Sequence, residues 1–500
     1  MLLELHLHTS RHSPCSQLSP VDAVRRVVAK GLQGLVITEH HYLWTADELA
    51  ALRAEAELDE GFVLLAGQEV DTDVGHVLVY GVEHTLAEWV RLRELRERYP
   101  AAALVWAHPF RYDRVPSDQA LRNPLLDAVE LFNTNHTVRG NTCALTAWHR
   151  LKFTATGGSD AHAVEAAGVF PTQLDHPVES MAELVEEIRR GRCRPFFKEI
   201  PHAGSNLAVT EIVIGTKGED ETRQRVVVKR FRNDRKWRQQ KRALKTIDAL
   251  LGRGFATATF RVPRILEVND AGRVLIEEGQ RGKLLFDLLR TVSPEVGERY
   301  FELAARWLAS MHRLGMRVGR IADAVGRERR RFRSYRDAFV STRNPHRVEA
   351  ERILAAVEAR EEQLFRDQAE QLVQVHGDYH PKNIIIGQDR AHDVGTVFVS
   401  VIDFANAMLF LPAFDVGYFL AQFRYQFREH PALLDRHGRE RFLATYSAGL
   451  ARIPDDLEEQ VAFFEARANM SIASFLIKVG KGESGDLVAL VERSLALLGL

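Results

Sequence analysis

Five hundred residues are more than one hydrophobic core organises, so two or three domains are expected. With 45% hydrophobic and 27% charged residues and a net charge of −1, the composition is that of a folded soluble chain and gives no global pull toward nucleic acid or an anionic membrane. The cysteines, Cys15, Cys143 and Cys193, are far apart and odd in number, which argues against a disulfide framework and suits a reducing cytosol.

The chain reaches ELHLHT without a charged-then-apolar leader, and its longest apolar stretch, VIDFANAMLFLPAFDVGYFLAQF, carries Asp403 and Asp415. A cytoplasmic protein without a membrane span is expected. LLELHL reads as a strand. SPVDAVRRVVAKG reads as a helix with Ser19 as its cap and Pro20 in the first turn. GLVIT follows as a strand and TADELAALRAEAEL as a helix; FVLLAGQEV, HVLVYG, AALVWA, DAVELF and KFTATGG are further strands. This alternation predicts a βα barrel or an open α/β sheet over the first two hundred residues. After residue 198 the pattern changes. LAVTEIVIG and RVVVKRF read as a hairpin, DRKWRQQKRALKTIDALL as a basic helix, and helical periodicity dominates from Pro294 onward.

The strand ends carry chemistry. On the first strand His6 and His8 alternate with Leu5 and Leu7 and share one face, and His12 lies in the turn beyond. One such pair is equally well explained as solvated histidines. Later strand ends, however, add His40 in TEHH, Glu69 in GQEV, His76 in GHVLVYG, His108 in AHP, and Asp160 and His162 in GSDAH. Imidazoles and carboxylates converging at one barrel mouth suit zinc, manganese or iron(II).

These motifs, in this order, resemble the PHP (polymerase and histidinol phosphatase) family over residues 1–198. The resemblance implies a distorted (β/α)7 barrel with a cluster of two or three divalent metals (manganese, zinc or iron) that hydrolyses a phosphoester. One metal would be held by His6, His8, Glu69 and Asp160. A second would take His40, His162 and His12, and a third would share Glu69 with His76 and His108. The family's usual Thr-Asp-His is here Thr38-Glu39-His40. Arg11 and Arg111 adjoin ligand motifs and are candidate substrate clamps, since guanidinium groups match phosphate geometry.

In the C-terminal half, VHGDYHPKNIII and SVIDFANA are the informative pieces. Asp378 with Asn383 five residues on has kinase catalytic-loop spacing, and Asp403 follows at a second strand end. The set His376, Gly377, Asp378, His380, Asn383, Asp403 and Lys229 resembles the aminoglycoside phosphotransferase and choline kinase group over residues 203–500. That resemblance implies a bilobal protein-kinase-like domain, α+β beside the α/β barrel, with a small lobe over about 203–280 and a large lobe over about 281–500. It implies Asp378 as catalytic base, Asn383 and Asp403 as magnesium ligands, and Lys229, Gly204 and Ser205 on the phosphates of ATP. His380 would brace the loop and Asp415 would be structural. The helix after Lys229 should offer a Glu to pair with it, and Gln240 occupies that slot. The arginine-rich GRERRRFRSYR, residues 326–336, reads as a solvated helix face more readily than as a substrate platform.

The expectation is a bifunctional enzyme acting on small molecules, a phosphoester in one half and a hydroxyl acceptor in the other. A nucleic-acid end-processing pair is less favoured, given the neutral charge. A hydrolase regulated by a nucleotide-sensing kinase-like module is the third reading.

Overall fold

Alternating apolar runs and capped helices build the N-terminal half as the sequence predicts. A computed structural model describes residues 1–86, 88–202, 207–216, 223–256, 259–390 and 393–500. Contacts divide it into two units: residues 1–230 with 265–279, and residues 231–264 with 280–500.

In the first unit, strands β1 (Leu2–Glu4), β2 (Gly34–His40), β3 (Val63–Thr72), β4 (Gly75–Tyr80), β5 (Ala103–Trp106), β6 (Ala128–Phe132), β7 (Ala155–Gly157), β8 (Thr172–Leu174) and β9 (Cys193–Pro195) form one sheet. Its order is β7-β6-β5-β4-β3-β2-β1-β8-β9. The two ends approach each other: Thr172 Oγ1 exchanges hydrogen bonds with the backbone of Gly157, and Cys193 Sγ lies 3.8 Å from the carbonyl of Ala155. The sheet is therefore a nearly closed barrel. Helix Pro20–Ala29 begins with the Ser19 cap, and helix Ala46–Glu55 has a capping box in which Thr45 and Glu48 satisfy each other's backbone. The barrel is not all parallel. β4 runs antiparallel to both β3 and β5, so His76, at its start, lies at the same end of the barrel as the C-terminal ends of its neighbours.

A second sheet follows in the same unit, built from β10 (Phe197–His202), β11 (Leu207–Ile214), β12 (Gln224–Phe231), β14 (Ile265–Asn269) and β15 (Val274–Glu278), in the order β10-β11-β12-β15-β14. Strand β13 (Phe260–Arg261) lies between β12 and β14 in sequence and belongs to the other unit. Residues of the second sheet complete a core begun by the barrel: Ile212, Ile214, Val226 and Ile276 pack with Phe110, Phe132 and Phe170. The packing units thus do not divide at 198–203, where the change of sequence pattern lies. The hairpin's apolar face has its partners in the barrel, and burial follows those partners.

The second unit holds a sheet in the order β13-β19-β18-β16, from β16 (Lys283–Leu284), β18 (Ile384–Gln388) and β19 (Val397–Val401), and the ribbon of β17 (Val373–Val375) with β20 (Met408–Phe410). Long helices surround them, among them Asp234–Leu251, Pro294–Arg313, Ile321–Ser341, Ala413–Gln426 and Leu457–Lys478. Among the described residues no helix is long and apolar enough to cross a membrane. The arginine-rich stretch is solvated on one side only, where Arg329, Arg330 and Arg333 are exposed. Phe332 and Glu328 are buried, and Glu328 accepts from both Arg331 and the buried Arg467.

Candidate active sites

The barrel mouth gathers most of the expected ligands. His6 and His8 lie just beyond β1, not within it, and backbone bonds from His8 N to Ala161 O and from Asp160 N to His6 O set this extended segment beside the GSDAH turn. β2–β3 register pairs His40 with Glu69 directly. His6, His8, Glu69 and Asp160 have ligand atoms close enough to share one ion, as do His8, His40 and His162, and His40, Glu69 and His76. Glu69 is the hub. Its Oε2 lies 3.0 Å from His8 Nε2 and 3.2 Å from His40 Nδ1, while its Oε1 is 2.8 Å from His76 Nδ1 and 3.0 Å from His108 Nε2.

Three observations fit this cluster to a divalent cation. The Nε2 atoms of His6 and His8 face each other at 3.1 Å. Nδ1 of His6 donates to Glu130 Oε1 at 2.9 Å, which leaves its Nε2 as a bare lone pair aimed at the centre. Glu69 Oε2 is buried and receives no well-aligned hydrogen bond, although ring nitrogens of His6, His8 and His40 stand 3.4, 3.0 and 3.2 Å from it. Facing lone pairs beside two carboxylates repel unless a positive ion lies among them. The electrostatics agree. Burial opposes charge on His8, yet Asp160 and Glu69 carry its pKa up to about 9, so the carboxylates draw a proton onto the ring where a cation would otherwise meet their charge. Burial, only partly opposed by Glu69, draws His40 down to about 4, leaving a neutral imidazole at pH 7.

Two expected placements differ. His12 does not enter the cluster. Its Nε2 pairs with Glu48 Oε1 at 2.8 Å and its ring stacks on Tyr42, so His8 stands in the second group where His12 was expected. The third group forms around His40 and His76, with His108 bound to Glu69 from the side. Arg11 lies over the Trp44 ring and Arg111 over Tyr112, so each cation rests on an aromatic face.

Sequence reading missed the layer that orients the ligands. Glu130 is fully buried in β6; besides His6 it accepts from the backbone N–H of His108 and from Asn133 Nδ2. Gly158 makes room for it, because a Cβ there would stand 2.0 Å from Glu130 Oε1. Glu39 is held by Thr9, Ser13 and the indole N–H of Trp44, so the carboxylate after Thr38 acts as a brace for the turn. Glu4 is buried beneath the site; burial, against hydrogen bonds from Ser159, raises its pKa to about 7.

In the second unit the HGD loop is anchored from below. Buried Asp415 accepts from the backbone N–H groups of His376 and Gly377, at 2.7 and 2.8 Å, and lies 3.1 Å from His312 Nε2. Gly377 has φ +80°, and a Cβ would come within 2.2 Å of the Asn406 carbonyl. Asp378 is presented with Oδ1 accepting from the Tyr418 hydroxyl at 2.7 Å and Oδ2 from Asn406 Nδ2 at 3.4 Å. Burial, and then the Asp378 charge, push the Tyr418 phenol well up, so it stays a donor. Asn383 donates Nδ2 to the Asp378 carbonyl, leaving its amide oxygen for other use. Ladder pairing of Ile384 with Val401 sets Asn383 beside Ile402, next to Asp403, which holds a left-handed backbone at φ 65°. His380 Nε2 lies 3.6 Å from Asp378 Oδ1.

Lys229 belongs to the first unit, on β12. It makes a 2.5 Å ion pair with Glu277 on β15, diagonally across the ladder. The carboxylate missing from the helix is thus supplied by a strand. Gln240 is buried, and its neighbour Gln239 donates to the Ala405 carbonyl and Asn406 Oδ1. Gly204 and Ser205 lie outside the described residues.

Residues 216–457 match the model of a family described as phosphotransferase enzyme family, and residues 138–193 match one described as PHP-associated. No curated protein matches the chain. Among solved structures it is similar to choline kinase from Cryptosporidium parvum, at 14% identity over 60% of this chain and 88% of that one, with a TM-score of 0.41. Plasmodium vivax ethanolamine kinase matches at 14% identity over 61% and 82%, with a TM-score of 0.39. Aminoglycoside phosphotransferase APH(3'')-Id from Streptomyces rimosus matches at 18% identity over 53% and 91%, with a TM-score of 0.36.

Proposed function

Starting from the phosphotransferase-family pattern of residues 216–457, we propose that the chain is a two-activity enzyme. Its C-terminal half moves the γ-phosphoryl group of ATP to a hydroxyl of a small molecule. Its N-terminal barrel hydrolyses a phosphoester. The kinase reading rests on Asp378, a carboxylate held by two donors with Asn383 and Asp403 beside it. Asp378 accepts the hydroxyl proton as the oxygen attacks phosphorus, while Tyr418 and Asn406 fix its two oxygens. Asn383 and Asp403 offer oxygen ligands for magnesium, and the phosphotransferase pattern gives Lys229, paired with Glu277, to the ATP phosphates.

The hydrolase reading rests on the carboxylate hub Glu69 and the facing nitrogens of His6 and His8. Divalent cations in such a cluster supply an activated water and neutralise charge on a phosphoester. His6, His8, His40, His76, His108, His162, Glu69 and Asp160 are the residues that would hold them. Glu130 keeps His6 in the tautomer that can bind.

The test incubates a metabolite extract with ATP, magnesium and manganese and follows it by untargeted mass spectrometry, comparing wild type with Asp160→Asn and Asp378→Asn. A species gaining one phosphoryl group should accumulate with Asp160→Asn and be missing with Asp378→Asn. If no change depends on Asp378, the transferase reading fails. If no phosphoester loss depends on Asp160, the hydrolase reading fails.

A further inference from the structure

The second unit contains a cavity of about 310 Å³ that the proposed chemistry leaves unused. Helix Asp234–Leu251 contributes Arg242 and Lys245 to its wall, and Arg320 and Arg327 come from the start of helix Ile321–Ser341. Asp323 is the acidic lining residue, and it is engaged by Arg320 at 3.3 Å. Neither Arg242 nor Lys245 forms an ion pair among the described residues. Like charges gathered around a concave surface raise one another's cost and attract an anion. Arg327 feels this directly: burial, and then repulsion by Arg331 and Arg242 against the pull of Glu328, draw its pKa down to about 10.

A second feature narrows the ligand. Gln374 on β17 also lines the cavity and is 1% exposed. Its Nε2 is used on the Val375 carbonyl at 3.2 Å, and its Oε1 has no partner. A buried acceptor left unmatched is costly, so it marks a place that a donor would stabilise. The amide cannot be turned around without setting two oxygens against each other at Val375. The cavity wall therefore offers cations for a negative group, and one of its lining residues carries a buried acceptor still without a donor.

The cavity wall is also connected to the catalytic loop. Arg327 Nη1 donates to the carbonyls of Asn406 and Ala407 at 2.7 and 3.2 Å, and Arg331 donates to Asn406 Oδ1 at 3.0 Å. Asn406 in turn donates to Asp378. We propose that this cavity binds a small phosphomonoester bearing a hydroxyl group, and that Arg327 and Asn406 transmit its occupancy to Asp378. The second half rests on the transferase reading of Asp378; the first does not.

Calorimetric titration of the full-length chain with glycerol 3-phosphate, glycerol and sulfate tests binding. Glycerol 3-phosphate should bind at least tenfold more tightly than sulfate, and glycerol should give no heat. The double variant Arg242→Ala/Lys245→Ala, altered at two exposed positions, should lose at least tenfold in affinity for this site. Asp378→Asn should bind as wild type does, which keeps this arm readable even if the chain transfers no phosphate. Occupancy should slow amide hydrogen exchange over residues 403–407 in wild type and not in the double variant. Equal binding by wild type and the double variant overturns the site, as does loss of binding with Asp378→Asn. Equal affinity for sulfate and glycerol 3-phosphate overturns the role of Gln374. Binding without any change in exchange over 403–407 overturns the link to Asp378.

Discussion

Replacing Glu277 by Gln removes the charge opposite Lys229 while keeping the shape and one acceptor oxygen. The pair is 2.5 Å long, and the side chains are only 12% and 6% exposed. With an effective dielectric constant of about 20, the direct attraction is roughly 7 kcal/mol, much of it offset by the desolvation of both ions. Stripping one partner from a buried pair costs about 3–5 kcal/mol, and the glutamine oxygen should recover part of this, leaving about 2–3 kcal/mol. Without the Glu277 charge the ammonium is anchored less firmly, so fewer molecules hold it against the phosphates. A loss of 10- to 30-fold in kcat/KM for ATP corresponds to about 1.4–2 kcal/mol of lost transition-state stabilisation. Steady-state kinetics with varied ATP, alongside thermal melts, measure both effects. Gln240→Glu should bring no gain, because Lys229 is already partnered. The reasoning is refuted if Glu277→Gln lowers the melting temperature but leaves kcat and KM for ATP unchanged, or if Gln240→Glu raises kcat/KM.

Gly377→Ala should cut transferase activity at least 100-fold while the fold persists: a left-handed alanine costs about 1–2 kcal/mol, and clearing the Asn406 carbonyl shifts the loop by an ångström or so. Activity and circular dichroism on the same sample check it. Purified wild type should carry bound divalent metal by elemental analysis. Glu130→Gln should weaken that binding about 10- to 100-fold in chelator competition, since it releases the tautomer of His6. Burial, then repulsion by Arg436, hold His437 down to about 4, below its unfolded value near 6.5. The unfolded chain thus takes up that proton first, and stability falls as pH drops from about 6.5 to 4. In His437→Phe, the loss of melting temperature between pH 7.5 and 5 should be smaller than in wild type.

What the sequence discloses follows from which interactions are local. The two-residue alternation of His6 and His8 and the turn motif GSDAH carry their own geometry, so their meeting is readable. His76 is readable as a ligand although its strand runs the opposite way, because it stands at the start of that strand. His12 misleads for a local reason with a distant partner. The capping box of Thr45 and Glu48 is visible in TADE, but nothing in the spacing says that Glu48 also receives His12. Glu130 had a signal: a carboxylate in the middle of the buried run AVELF is costly unless partnered, and so marks a partner. Glu277 had none. Its meeting with Lys229 depends on the register of two strands separated by a helix and two further strands, which only the folded sheet fixes.

The shared core of the first unit leads to a consequence for dissecting the two proposed activities. A fragment beginning at residue 203 would keep every catalytic motif of the transferase half, yet it would lose Phe110, Phe132 and Phe170 from beneath β11, β12 and β15. Ile212, Ile214, Val226 and Ile276 are each under 7% exposed in the whole chain. Exposing four such side chains forfeits about 1.5–3 kcal/mol each, roughly 6–12 kcal/mol together, which is comparable to the entire stability of a typical domain. The sheet carrying Lys229 should therefore not hold its form without the barrel. Limited proteolysis of residues 203–500 should cut first within β11 and β12, and ATP-dependent transfer should be absent even though Asp378, Asn383 and Asp403 are present. A fragment that melts cooperatively and transfers phosphate at the full-length rate would show that the β-sheet packs its apolar face on something other than the barrel, and that the two activities are separable at residue 203 after all.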